Sequence, residues 1–509
     1  MNKKKALISV SSKENIVNFA NGLVANNFEI ISTGATKAEL AVAGISSFDV
    51  AEITNFPEAL SGRVKTLHPN IHAGILAKRD DNEHMKFLSK NSIEQIELVC
   101  VNLYPFKDTV AKGASLDDAI EQIDIGGPAL IRAAAKNYKH VCVITNISDY
   151  ENVINMLAEG NLNENERLKL CVKAFEHVAA YDALIAQYLS QKVESNILPE
   201  KITLTYEKAC ELRYGENPHQ QAALYREPLY KQDFVQLHGK ELSFNNITDS
   251  YGAIALLKEM TGPNVVAVKH ASPCGAGKAS SITQAYIKAY NADPVSIFGG
   301  IIAANREIDE GAAIEIAKTY VEIIIAPSFS EEALAILTKK KDLRLLKLND
   351  VLIDNLDYKK IPGGLLVQTI DDKLILNELE HKTIRQATHP ETFDMLFALK
   401  LVKHLKSNAI AIVKNGQSIG LSGGQVSRIS ACKQAIANAV EHLGKDVLLG
   451  AAMASDGFFP FDDCIKAANF AGITAIVQPG GSKNDIASIE ACDRYNMAMA
   501  FTNIRHFRH

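Results

Sequence analysis

The 509 residues contain no pair of cysteines two apart, no apolar run that approaches a membrane span, and no surplus of positive charge. Each absence closes off a class. The eight cysteines, at 100, 142, 171, 210, 274, 432, 464 and 492, are scattered, which suits reduced thiols better than a disulfide or zinc framework. A helix that crosses a bilayer needs about 20 apolar residues in a row. The opening MNKKKALISVSS is basic, but its apolar stretch is too short for a secretory leader. A soluble, cytoplasmic protein with no membrane partner is expected. The formal net charge of -5 argues against a nucleic-acid binder, which normally carries a basic stripe. Anionic ligands must then be held by local basic groups.

What is present is an ordinary globular balance, 47% apolar and 22% charged, in a chain too long for one hydrophobic core. Residues 1–150 alternate β-branched runs with amphipathic stretches. The runs are ALISVS (6–11), FEIIST (28–33), LVCVNLY (98–104) and HVCVIT (140–145), and helical patterns lie between them at 13–26 and 116–122. Such alternation predicts a parallel sheet covered on both faces, with its ligand site at the carboxyl ends of the strands. A charged helical stretch follows at 162–192, and SNILPE (195–200) reads as a hinge.

Beyond residue 201 the chain echoes itself. VVAVKHASPCGAG (265–277) matches AIAIVKNGQSIGLSGG (409–424), SIFGGIIAAN (296–305) matches ASDGFFPFDD (454–463), and EIIIAP (322–327) matches TAIVQP (474–479). Three pairs in one order, about 150 residues apart, indicate a duplicated α/β unit, since so long a period is not that of a solenoid.

Four clusters carry chemistry. In GRVKTLHPNIHAG (62–74), Arg63, Lys65 and Thr66 offer a guanidinium fork, a point charge and a hydroxyl. That set suits a phosphate, and equally a solvated basic turn. Pro69 disfavours the helix that would align His68 with His72 for zinc, and no third ligand is nearby. In IDIGGPALIRAAAKN (123–137), Gly126 to Pro128 give a turn and a helix start that can present backbone N–H groups to an anion, or simply a capped helix. Asp124 precedes this turn and Lys136 follows it. Arg213 and Tyr214 in CELRYGENPHQ pair a fork with an aromatic plate. In VKHASPCGAGK (268–278), Lys269 and His270 at a strand end form a candidate acid–base pair; a histidine satisfied by local hydrogen bonds is the plainer reading. The GAGKAS beyond it fails the P-loop template, because Ser272 stands where a glycine is required.

Taken in order, SVSSK, GRVKTLHPNIHAGIL, NLYPF, QIDIGGPALIRAAAKN, LRYGENPHQ, VKHASPCG, DPVSIFGGIIA, SGGQVSR, SDGFFPF, EACD and TNIRHFRH resemble the AICAR transformylase/IMP cyclohydrolase family over essentially the whole chain. The resemblance implies a methylglyoxal-synthase-like cyclohydrolase domain (1–195), then two cytidine-deaminase-like α/β subdomains (201–370 and 371–509) that form the transformylase. It implies a formyl group passed from 10-formyltetrahydrofolate to AICAR, closure of FAICAR to IMP, and a homodimer. No catalytic metal is expected, because His389-Pro-Glu391 lacks the cysteine pair of a zinc deaminase. A structural monovalent cation is compatible with the family.

By the same resemblance Ser11, Ser12, Lys13, Thr33, Gly34, Arg63, Lys65, Thr66, Asn102 and Gly126 line the cyclohydrolase nucleotide site. Lys136 is assigned proton transfer, Asp124 positions the amide, and Lys65 with Tyr104 meets the developing oxyanion. In the transformylase His270 is the base, Lys269 its electrostatic partner, and Asn408 orients the amine or formyl oxygen. Arg213, Tyr214, Gly299, Arg428, Phe458 and Arg505 contact AICAR, with Asp463 and Ser482 towards the folate. Ala35 replaces a family glycine and Ser328 an aspartate. Two other classes compete: a nucleotide-sensing module, which needs the phosphate cradle without Lys65, Tyr104, Asp124 and Lys136, and a zinc deaminase, which needs the missing cysteines.

Overall fold

The computed structural model describes residues 3–193, 197–349 and 355–509. Two compact units emerge, Met1–Glu207 with Arg226–Tyr230, and Lys208–Tyr225 with Lys231–His509. Ser195 and Asn196 of the predicted hinge lie outside the described residues.

The first unit holds a five-stranded parallel sheet: β1 (Lys4–Val10), β2 (Phe28–Ser32), β3 (Ser47–Asp49), β4 (Leu98–Asn102) and β5 (Cys142–Ile144). Their order is β3-β2-β1-β4-β5. The four predicted runs are strands, with ends moved by one or two residues. β3 escaped the sequence because SFD is too short to show a pattern. Ala6, Leu7, Ile8, Leu98, Val99 and Ile144 are fully buried, as a sheet covered on both faces demands. The chain leaves β1 in one direction towards β2 and β3 and in the other towards β4 and β5. The crevice at that reversal is where such sheets bind ligands. The charged stretch forms one helix, Glu164–Ser190.

Pro69 behaves differently from expectation. It opens the helix Pro69–Leu76 at its first position, and His68 is the cap, its Nδ1 accepting the Asn70 N–H at 3.2 Å. A proline at that position loses no intrahelical hydrogen bond and is already set for the turn.

The second unit is built on one twelve-stranded sheet, with the duplication written into its order. From the centre outwards one half reads Ser272–Lys278, Asn264–Lys269, Ile301–Ala304, Ile323–Ala326, Arg344–Leu348 and Phe234–His238. The other reads Gln417–Ser422, Ile410–Lys414, Ala452–Ser455, Ala475–Gln478, Ala498–Phe501 and Glu380–His381. Parallel and antiparallel pairings fall at the same steps in both. Ile301–Ala304 and Ala452–Ser455 are counterparts, so one predicted echo was out of step: the strand closes SIFGGIIAAN but opens ASDGFFPFDD. Shared glycine and phenylalanine had drawn the match away from the strands. Among the described residues no helix is long and apolar enough to cross a membrane.

Candidate functional site

The carboxyl ends of β1, β2 and β4 converge in the first unit. Asn102 closes the loop after β1, its Oδ1 accepting the N–H groups of Ser11 and of Ser12, the latter at 3.0 Å. Lys13 turns inward, with Nζ on the Val10 carbonyl and 3.0 Å from the Thr36 hydroxyl, and burial lowers its pKa. Its ammonium therefore braces the loop. Thr33 precedes the helix Gly34–Val42, and Gly34 takes φ 44°; Ala35 is the second residue of that helix. The Ser9 and Thr33 hydroxyls lie 3.3 Å apart.

The 58–66 loop folds over this edge. A Cβ on Gly62 would stand 2.8 Å from Lys65 Cε and from Glu58 Oε1, and its φ of 91° suits glycine. Lys65 pairs with Glu58 at 3.2 Å and Arg63 with Glu121. Thr66 is buried, and its Oγ1 would lie 3.0 Å from a Cβ on Gly126. Asp124 completes the group. Burial raises its pKa, opposed by hydrogen bonds from the Gly127, Tyr104 and Gly126 N–H groups and by the charge of Lys65. Gly127 must be glycine, since a Cβ there would fall 2.5 Å from Asp124 Oδ2. The Tyr104 ring is exposed.

The structure does not bring Lys136 to this group. Gly126–Lys136 is one helix with Lys136 at its last residue, about 15 Å along the axis from Gly126 at 1.5 Å per residue. The resemblance places Lys136 with this group, but within one chain ten helical residues carry its backbone away from Gly126. Conversely, Tyr181 was missed. From the long helix its hydroxyl accepts the Asp124 N–H at 2.9 Å and donates to the Gln122 carbonyl at 3.0 Å, and no local motif marks it.

In the second unit Lys269 and His270 sit at a hairpin turn. His270 and Ala271 take φ 54° and 55° between paired Lys269 and Ser272. Both central residues of such a turn need positive φ, which favours Asn-Gly; the left-handed region costs an ordinary residue about 1–2 kcal/mol. The His270 imidazole is exposed. Lys269 Nζ donates to the Phe298 carbonyl at 2.8 Å, next to Gly299 (φ 74°).

Asn408 lies at the start of the equivalent central strand in the other half, with Nδ2 donating to the Gln425 carbonyl at 2.9 Å. Arg428 is buried. Its guanidinium pairs with Asp456 and donates to the Ala409 carbonyl at 3.0 Å, and among the described residues its Nε has no hydrogen-bond partner. Sequence reasoning passed over Asp456, which has no exposed surface, accepts the Ala409 N–H at 3.0 Å and holds the Ser407 hydroxyl. Next to it Phe458 is partly exposed and Phe459 buried. The His506 N–H donates to the Asp456 carbonyl at 2.9 Å, while Arg505 lies over the Phe507 ring at 4.7 Å. Ser482 Oγ accepts the Asn484 N–H, and Asn484 reaches the Pro460 carbonyl at 2.8 Å. Asp463 opens the helix Asp463–Ala471, its carboxylate accepting the Cys464 N–H at 2.8 Å. Arg213 lies over Tyr214 at 4.7 Å, and Ser328 donates to Glu307 at 2.8 Å.

A cavity of about 310 Å³ lies between the two halves, lined by Ser272 and Pro273 beyond the His270 turn and by Lys406, Gly423 and Gly424 around Asn408. Lys269, His270 and Asn408 stand beside this cavity in the chain but are not among its lining residues. Among the described residues no cluster of three His, Cys, Asp or Glu side chains could hold a metal. Burial alone would raise the Glu391 pKa, but hydrogen bonds from Thr474, the Thr388 N–H, Arg385 and the Thr388 hydroxyl hold it at about 2.

Comparison with known proteins agrees with this arrangement. The family described as AICARFT/IMPCHase bienzyme matches residues 134–438, and an MGS-like domain matches 15–129. Proteins called bifunctional purine biosynthesis protein PurH are similar from end to end. That of Acetivibrio thermocellus is 53% identical over 99% of this chain and 100% of its own. That of Ruminiclostridium cellulolyticum is 52% identical over the same shares, and one from Bacillus cereus is 50% identical over all of both. With a family match across more than half its length and such relatives along all of it, the chain belongs to the AICARFT/IMPCHase bienzyme family.

Proposed function

We propose that the protein transfers a formyl group from 10-formyltetrahydrofolate to AICAR in its second unit and closes the product, FAICAR, to IMP in its first, with loss of water. The observation that carries the reading is one proton-handling group per unit: half-buried Asp124 at the strand reversal and His270 on a turn held at positive φ. The domain plan is 1–195 for closure, with 201–370 and 371–509 as the halves of the transferase.

Closure joins two groups on one ligand, so capture in a reactive conformation supplies much of the rate. A ribotide phosphate arriving at the 58–66 loop exchanges Glu58 and Glu121 for its own charge on Lys65 and Arg63. Thr66 and the helix starting at Gly34 complete the cradle, since a helix N-terminus favours an anion. Asp124, its pKa raised, takes a proton from the carboxamide nitrogen and passes it to the former formyl oxygen. That oxygen leaves as water as the formamide nitrogen gives up its own proton. Lys65, with the exposed Tyr104 hydroxyl, meets the oxyanion formed at the formyl carbon. One chain's Lys136 has no place in that pocket.

Formyl transfer needs a base because the AICAR amine is conjugated and weakly nucleophilic. His270 removes its proton as the formyl carbon is attacked, Lys269 supplies positive charge beside it, and Asn408 orients the reacting groups. Arg213, Tyr214, Gly299, Arg428, Phe458 and Arg505 hold the ribotide, with Asp463 and Ser482 towards the folate. A cytoplasmic homodimer, and a structural monovalent cation, accord with the family.

Supplying AICAR and 10-formyltetrahydrofolate should yield IMP and tetrahydrofolate. His270→Ala should lower formyl transfer by about a hundredfold or more while FAICAR closure persists, and Lys65→Ala should do the reverse. Both activities falling together in either variant would defeat the two-site reading. Lys136→Ala should leave closure within about threefold, a change too small for a general acid or base. A loss equal to that of Lys65→Ala would place a second copy's lysine in the pocket.

A further inference from the structure

The duplicated halves carry the same device at equivalent hairpins. In one, Asp249 accepts the His270 N–H at 3.1 Å and the Ala271 N–H at 2.8 Å, one carboxylate oxygen each. In the other, Asp394 accepts the Asn415 N–H at 2.7 Å and the Gly416 N–H at 2.8 Å in the same way. Each aspartate lies on the helix before its hairpin, Phe244–Lys258 or His389–Lys403. The two turns differ in what they need. Asn415 and Gly416 (φ 52° and 68°) are the pair a positive-φ hairpin prefers, and they hold that shape unaided. His270 and Ala271 are not, and an alanine left free would move to negative φ.

We infer that Asp249 is a positioning residue for formyl transfer, its carboxylate clamping the two backbone N–H groups of a turn whose own residues would not keep His270 in place. The helix comes close enough because residue 252 is glycine: a Cβ there would stand 3.3 Å from the Ala271 Cα. Two charge-assisted hydrogen bonds from adjacent N–H groups fix the peptide plane from which the imidazole projects. Lys269, anchored on the Phe298 carbonyl, fixes the turn from its other side. Misplacing a reacting group by about 1 Å costs on the order of a hundredfold in rate, so the clamp acts on turnover and leaves ribotide affinity alone. The inference rests on the reading of His270 as the base.

The test is steady-state formyl transfer by the full chain, with FAICAR closure and a thermal melt as controls. Asp249→Asn replaces one acceptor with a donor. It should lower kcat about a hundredfold while KM for AICAR stays within about threefold and closure is unchanged. Adding Ala271→Gly, which removes the need for the clamp, should restore at least about a tenfold share of that loss. Asp394→Asn should lower the melting temperature without changing kcat. The inference falls if Asp249→Asn keeps full kcat, if closure is lost with it, or if glycine at 271 rescues nothing. His270→Ala separates the two readings. Should that variant still transfer formyl, the base assignment is wrong; should it be inactive while Asp249→Asn is normal, only the clamp is wrong.

Discussion

The two halves of the second unit share strand order and pairing, yet each keeps its polar chemistry at a different end of the same strand. In the first half it stands at the carboxyl end of Asn264–Lys269, where Lys269 ends the strand and His270 begins the turn. In the second it stands at the amino end of Ile410–Lys414, where Asn408, Arg428 and Asp456 gather. Ser272–Lys278 and Gln417–Ser422 pair antiparallel at the centre, so opposite ends of equivalent strands come to one edge of the sheet. The duplicated halves thus present different polar groups at one edge of a common sheet.

The counterparts can be tested against each other. Asp456 and Asn305 occupy the same position: each accepts the N–H at the start of its central strand, Ala409 at 3.0 Å and Asn264 at 2.9 Å. Only Asp456 also balances a buried guanidinium. Asp456→Asn should cost about 3–5 kcal/mol in urea unfolding, because Arg428 is left charged and unpaired in the interior. Asn305→Ala, which strands one N–H, should cost about 1–3 kcal/mol. Equal losses would mean that the ion pair adds nothing to the shared backbone bond.

The helix starts differ in the same spirit. Ser243 with Asn246 and Thr388 with Glu391 are both reciprocal caps, but Asn246 reaches Glu322 at 2.8 Å whereas Glu391 is ionised against Arg385 and Thr474. A carboxylate whose pKa is held at about 2, down from 4.5, stabilises the fold above pH 4.5 and loses that contribution as pH falls towards 2. Glu391→Gln should therefore lower the melting temperature at pH 6, with the gap to the parent narrowing as pH drops to 3. Asn246→Ala should show a gap that does not vary with pH. A constant gap for Glu391→Gln would remove the ionic contribution.

Much of this was legible early for local reasons. The four long β-branched runs are strands because alternation with amphipathic helices permits only a covered parallel sheet. Lys65, Thr66, Asp124 and Gly126 are grouped by the family resemblance, since their two motifs lie about 60 residues apart and share no local pattern. That route does not hold for Lys136 within one chain, since helix length sets its distance from Gly126. Tyr181 and Asp456 bear on the sites from distant sequence or from within a motif whose aromatics attract notice first.

Residue order alone determined the family, the parallel sheet and the repeat, because periodicity and short motifs are local properties of a chain. Tertiary structure decided which polar groups come together. The antiparallel central pair joins His270 to the Asn408 side, the helix sends Lys136 away from Asp124, and Asp249 grips a turn 21 residues downstream. Each depends on the direction in which packed elements run, and contacts between residues far apart in the chain leave no spacing for a sequence to display.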